Sequence, residues 1–263
     1  MEFITIFDDI VINLDKSLDE GLEEVKIDLD LEDLEEVKID LDLEDNIVVL
    51  QPIDISESID WIKDSKRKYR NHLYSNENYI GPIYTSNWVS NNLCMGGYPK
   101  TKNHIQQLIN AGIDTFVCLN GKDKDKFYKY EDELPENKTY IHEPIDDMSN
   151  TTDEKLRLLC ENVADRIQIR GEKVYVHCAG GHGRAGTVVG ILLNLIYKIP
   201  TEQIFDYLQF THDQRDGNYF GPHRFNTKLD NENPLKQCYA LGQVPTPQTE
   251  KQREQVKRII TLF

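Results

Sequence analysis

No apolar run in this 263-residue chain approaches the ~20 residues that cross a bilayer as a helix, so the sequence offers no candidate membrane span. Cysteine is scarce. The five present (Cys94, Cys118, Cys160, Cys178, Cys238) are an odd number at irregular spacing with no CxxC pair, which argues against a disulfide framework and a structural zinc site. Arginine-rich and aromatic-basic arrays are also missing, so no nucleic-acid partner is expected. The opening, MEFITIFDDIVINLD, has neither a basic start nor a small-residue cleavage site. These absences together lead us to expect an intracellular, cytoplasmic protein.

Acid is abundant, but it is localised. Residues 1–60 hold 21 of the 46 Asp and Glu residues against three lysines (Lys16, Lys26, Lys38), so the net charge of −16 belongs to the first quarter. A global acidic steering field is therefore the wrong inference. Within this acidic extension the twelve residues LEEVKIDLDLED at 22–33 repeat at once at 34–45, with apolar residues alternating at a period of two. Two copies are too few for a solenoid, which takes about three. Two readings stand: an arm that binds a basic partner, or a solvated low-complexity segment kept open by self-repulsion. Residues 61–79, with the basic stretch Lys63–Arg70, read as a linker or helix.

From residue 80 onward the pattern alternates between strand and helix. Short apolar runs at Leu93–Met95, Thr115–Leu119, Thr139–His142 and Val174–Val176 suit buried strands. Helical spacing over Lys102–Asn110 ends at Ala111-Gly112, a glycine stop, and Asp153–Ile169 has one apolar face (Leu156, Leu159, Cys160, Val163). The expectation is an α/β catalytic domain over 80–263, with a central, mostly parallel sheet flanked by helices. Residues 211–245 show no periodicity and read as a long loop; His212, Arg215, His223 and Arg224 in it, with Tyr98, are candidates for the rim of a pocket.

The chemistry concentrates at Val174–Tyr197, where a strand runs into Ala179-Gly180-Gly181-His182-Gly183 and opens an almost wholly apolar helix. A helix N-terminus presents unpaired N–H groups and the positive end of its dipole, both suited to phosphate. The glycines let successive amides turn inward as an anion-binding nest. Cys178 stands at its mouth, where its thiolate would be stabilised as a nucleophile. Arg184 can hold two phosphate oxygens in its planar fork.

His177-Cys178-x2-Gly181-x2-Arg184 resembles the signature of the cysteine-dependent protein tyrosine phosphatases. Its four fixed positions recur by chance about once per million sites, so one match in a chain of this length is specific. The fold, activity and roles that follow are what the resemblance implies. Asp147, 31 positions before Cys178 in Pro144-Ile-Asp-Asp147, fits the general acid that such enzymes carry on an upstream loop, with Asp146 as runner-up. Thr246-Pro-Gln-Thr-Glu-Lys-Gln252 resembles the element that positions the hydrolytic water, which assigns Gln248 that role with support from Gln252. Thr246 there suits a helix N-cap and Pro247 the first helical position. Trp88…Leu119 is similar to the opening of compact atypical dual-specificity phosphatases.

The implied reaction is hydrolysis of a phosphomonoester on a phosphorylated protein through a cysteinyl-phosphate, with no metal or cofactor. Ala179 and His182 stand where phosphoinositide phosphatases often place lysines, which favours a singly phosphorylated ester. The alternatives are a slow or inactive phosphate-binding module, or a phosphatase of glucans or phosphoinositides. One departure matters: most members carry Ser or Thr after the arginine to bond the departing sulfur, whereas this chain has Ala185, with His182 as a substitute donor. Breakdown of the phosphoenzyme should then be slow. In an acid-quench trap, wild type should hold more phosphoenzyme than Ala185→Ser, and equal levels would discard the idea.

Overall fold

The computed structural model describes residues 2–7, 10–14, 50, 53–55, 77–122, 124–215 and 244–263. Two compact units divide between Leu43 and Glu44. In the first, β1 (Glu2–Phe7) pairs antiparallel with β2 (Ile10–Leu14). The duplicated segment at 22–45, most of the basic linker and the segment 216–243 lie outside the described residues.

The second unit is built on a five-stranded sheet in the order β3 (Ser86–Trp88), β4 (Leu93–Gly97), β7 (Val174–Cys178), β5 (Thr115–Asn120), β6 (Thr139–Ile145). β3 joins β4 antiparallel, and the other pairings are parallel. The sheet is thus mostly parallel and flanked by helices, with β7 at its centre. The central position follows from composition: β7 is buried at every residue, as is β5. Their β-branched and aromatic residues suit burial on both faces.

The period of two sorts the strand side chains into two cores. Leu93, Met95, Val117, Leu119, Val174 and Val176 face one way, toward α2 (Asp153–Gln168), α3 (Gly183–Tyr197), α4 (Thr201–Asp213) and α5 (Glu250–Ile260). Cys94, Phe116, Cys118 and Tyr175 face the other way, against α1 (Lys102–Asn110) and an aromatic layer of Tyr98 and Tyr130. α3 is buried along nearly its whole length, as its apolar sequence requires. Leu50, Ile53 and Ile55 pack against the first core. Among the described residues no helix is long and apolar enough to cross a membrane.

Several expected boundaries are met closely. α1 runs over Lys102–Asn110, capped by Thr101 and stopped at Ala111 before Gly112, whose φ of +88° needs glycine. Two expectations are corrected. The supposed loop from residue 211 begins inside a helix, since α4 extends to Asp213 and buries Thr211, His212 and Asp213. The C-terminal helix starts later than its Thr-Pro suggested: Thr249 is the N-cap, and it exchanges a reciprocal capping box with Gln252. Thr246 instead donates its hydroxyl to the carbonyl of His182 at 2.9 Å.

α5 is tied to the start of α2 by Arg258, whose Nε and Nη2 donate to Asp153 at 2.5 and 2.8 Å. Hydrogen bonds from Arg258 and Gln255 hold the Asp153 carboxyl down at about 2, against an ordinary 3.8. A carboxyl that resists protonation when folded contributes stability in full above about pH 4, and loses it as the pH falls through the folded value. Asp153→Asn should therefore lower Tm near neutrality, with the gap from wild type closing between pH 4 and pH 2. A gap independent of pH would show that the carboxylate contributes nothing.

Candidate active site

The site grows from the junction of β7 and α3. β7 ends at Cys178, β4 ends beside it with Gly97 in register, and α3 begins at Gly183. Between them the backbone reverses at Gly181, with φ +74°. A Cβ there would lie 2.1 Å from the carbonyl carbon of Gly96, so both the sign of φ and the contact demand glycine. The turn is so tight that the Gly181 N–H donates to Cys178 Sγ at 3.2 Å. The loop's first carbonyl, on Ala179, accepts from Tyr98 N at 3.2 Å.

Arg184 projects back from the first turn of α3, almost wholly buried. Its Nη1 donates to the Ile145 carbonyl at 2.9 Å and its Nη2 to Asp147 Oδ1 at 2.9 Å. Asp147 is 66 % exposed while the arginine beneath it is 1 % exposed, so the carboxylate sits as a cover over the cation. Asp146 takes another direction and pairs with Lys122 at 3.3 Å. The structure thus pairs Arg184 with Asp147, places Cys178 at the other end of the loop that leads to Arg184, and separates Asp146 from them. His177 points into the opposite core, its Nε2 2.6 Å from the Tyr130 hydroxyl. Gln248 is half-buried, and its backbone N–H donates to Gln252 Oε1 at 3.2 Å. The amide of Gln252 itself lies against the loop, 2.9 Å from where a Gly183 Cβ would stand.

His182 departs from its expected service to the sulfur. Its ring packs over Gly180, and Nδ1 lies 2.7 Å from His212 Nε2. Burial, then His212 and Arg215, push its imidazole well below the usual histidine range, so it stays neutral. The donor at Sγ is the Gly181 amide instead. Thr187 does not substitute for the missing hydroxyl either, because it donates to the Gly183 carbonyl at 3.0 Å.

Arg215 is the residue whose place sequence reasoning missed. Assigned to a pocket rim, it lies wholly buried under the loop. Nη2 donates to Gly181 O at 2.9 Å, Nη1 to Gly180 O at 3.3 Å, and Nε to Asn87 Oδ1 at 2.6 Å. Burial pushes the guanidinium down to about 10, which still leaves it charged at neutral pH. It holds the carbonyls of Gly180 and Gly181 from below, and with them the orientation of the two peptide planes they belong to. The signal available was a run of polar residues, His212-Asp-Gln-Arg215, directly after an amphipathic stretch.

The family model described as PTP-SAK, Swiss Army Knife protein, DSP-PTPase phosphatase domain, matches residues 84–216. The chain belongs to this phosphatase family. It is 30% identical over 152 residues to "Putative tyrosine phosphatase 067L" of Invertebrate iridescent virus 3, covering 56% of this chain and 59% of that one. It is 28% identical over 156 residues to "Putative tyrosine phosphatase 197R" of Invertebrate iridescent virus 6, covering 57% of this chain and 56% of that one. The chain thus spans under three fifths of the length of the curated relatives it matches. Among solved structures, Tk-PTP in its active form superposes with a TM-score of 0.49 at 18% identity, over 68% of this chain and 98% of that one. The matched residues of this phosphatase domain include the whole phosphate loop, Asp147 and Arg215.

Arg215→Met removes the donors and strands the loop carbonyls, at a cost of about 2–4 kcal/mol in urea denaturation. The affinity for tungstate, a tetrahedral oxyanion, should fall at least about tenfold by calorimetry, one charge-assisted contact being worth about that much. Unchanged tungstate affinity would mean that Arg215 does not set the amides.

Proposed function

We propose that this phosphatase domain hydrolyses phosphomonoesters on proteins through a cysteinyl-phosphate, with Cys178 as nucleophile. The observation that carries the reading is the joint geometry at the loop: a sulfur receiving the Gly181 N–H at 3.2 Å, and an arginine tethering Asp147 beside it. An N–H aimed at sulfur favours negative charge there, and the amides of 179–183 with Arg184 suit the three equatorial oxygens of a transferring phosphoryl group.

In the first step the Cys178 thiolate attacks phosphorus in line. The S–P bond forms as the P–O bond to the leaving group breaks, and Asp147 gives its proton to the departing oxygen. The guanidinium of Arg184 turns from Asp147 to the phosphoryl oxygens as substrate arrives. In the second step Asp147 takes a proton from water, oriented by Gln248 with support from Gln252. The water oxygen bonds to phosphorus, the S–P bond breaks, and inorganic phosphate leaves with the thiolate restored. Gly180, Gly181 and Gly183 contribute amides, and Ala179 and His182 contribute backbone.

His177 serves from below, its ring held by the Tyr130 hydroxyl and packed among Tyr98 and Tyr175. The nest carries no lysine, which supports a singly phosphorylated ester, and a phosphoprotein is the substrate class we favour. The four described cysteines are free thiols, in keeping with a reducing intracellular compartment. The acidic extension at 1–60 remains a candidate arm for a basic partner.

Aryl phosphate hydrolysis in EDTA should persist in wild type, fall to background in Cys178→Ser, and leave a trappable phosphoenzyme. Tight oxyanion binding without turnover in wild type would point instead to a phosphate-binding module. Phosphopeptides should show a higher kcat/KM than phosphoinositides or phosphoglucan, and the reverse order would overturn the substrate assignment.

A further inference from the structure

The segment after Asp147 has no place in the sheet or in a helix until α2 begins, yet several of its groups are engaged. One helix engages it. Asn150 Nδ2 donates to the Lys251 carbonyl at 3.0 Å, and Gln252 Nε2 donates to the Ser149 carbonyl at 3.4 Å. Gln255 Nε2 donates to the Thr151 carbonyl at 2.7 Å and to Asp153 Oδ1 at 2.8 Å. Gln252 and Gln255 are both buried, so these amides occupy an interior seam where an unpaired partner is costly.

The same face of α5 touches the phosphate loop, through the Gln252 amide against Gly183. Residues 145–153 are therefore strung between two anchors that share one support. Arg184 holds Ile145 and Asp147 at the near end, and α5 holds 149–153 at the far end. Between the anchors lies Met148, half-exposed, with φ +57°, a left-handed conformation that a methionine does not adopt by preference. Ser149 N bonds back to Asp146 O at 3.1 Å and closes the turn around it. A conformation of this kind persists when the surroundings over-determine it.

We propose that α5 seats the general acid: Gln255, with Gln252 and the Asn150–Lys251 bond, are positioning residues that fix the path of 149–153 so that Asp147 is presented at the phosphate loop. This rests on the assignment of Cys178 as nucleophile and Asp147 as acid made above. The physical reason is that proton donation to a leaving oxygen depends steeply on placement. A side-chain amide bonding an irregular carbonyl fixes that placement where no ladder can.

The test uses the full chain and two aryl phosphates. Difluoromethylumbelliferyl phosphate has a leaving group acidic enough to depart unprotonated, whereas phenyl phosphate needs the acid. The comparison is made on kcat/KM, which reports the first chemical step even where phosphoenzyme breakdown limits kcat. Gln255→Met should lower kcat/KM on phenyl phosphate about tenfold more than on the activated ester, within the 10²–10⁴-fold range of general acid catalysis. Asn150→Ala, at a half-exposed position, should act in the same direction by about threefold, and it decides the matter alone if Gln255→Met does not fold.

Asp147→Asn sets the ceiling of the effect, and Cys178→Ser should be inactive on both esters. Equal losses on the two esters, or no loss, in the Gln255 and Asn150 variants would overturn the proposal while Asp147→Asn still discriminates. If Asp147→Asn itself fails to discriminate, or Cys178→Ser stays active, the underlying assignment falls and the proposal falls with it.

Discussion

Everything at this site depends on the close approach of the Gly181 turn to the end of β4. The chain leaves the central strand at Cys178 and must start a buried helix at Gly183, within five residues. It can do so only because Gly181 takes φ +74° with Gly96 immediately behind it. The approach brings the Gly181 amide onto the sulfur. A side chain at Gly181 would have to displace backbone, not a flexible neighbour. The glycine at the end of one strand is therefore a condition for the placement of Cys178 at the end of its neighbour.

Two arginines divide the electrostatics of the loop between them. Arg184 reaches the end of β6 and the residues after it, where the Ile145 carbonyl and Asp147 accept from it. Arg215 stands beneath, where carbonyls and an asparagine satisfy it. The first can exchange its partners for a ligand; the second cannot leave without stranding buried acceptors. Cationic potential under the nest is thus fixed in the fold, while the cation above it is free to respond. His182, whose imidazole burial pushes well below the usual range, packs with His212 at 2.7 Å behind the loop.

The absence of a hydroxyl after Arg184 is met locally by the backbone. Ala185 is fully buried, and the nearest threonine hydroxyl is committed to its own helix turn. A backbone amide bonds the sulfur in the resting geometry, but the same amide belongs to the nest that an oxyanion would occupy. The two demands on Gly181 compete when a phosphoryl group is bound, which is the physical basis for expecting this step to be slow.

Much of this was legible in the sequence because the relevant signals are local. Short apolar runs marked the four parallel strands, Ala111-Gly112 marked the end of α1, and the spacing from Cys178 to Arg184 fits one loop and one helix start. The edge strand Ser86–Trp88 is too short and polar to show a period, and α4 was obscured where its last turn is polar, Thr211-His-Asp213. Those polar residues are buried with partners of their own: Thr211 donates to the Leu208 carbonyl, His212 meets His182, thirty positions away, and Asp213 accepts from Gln209. By itself the sequence determined the fold class and a glycine-rich turn between a cysteine and a helix start, since glycine conformation and helix ends depend on neighbours in the chain. Only the tertiary structure decided which aspartate meets Arg184, which arginine lies under the loop, and that α5 bonds residues 149–153. Each is a contact between distant segments, set by how the helices pack on the sheet.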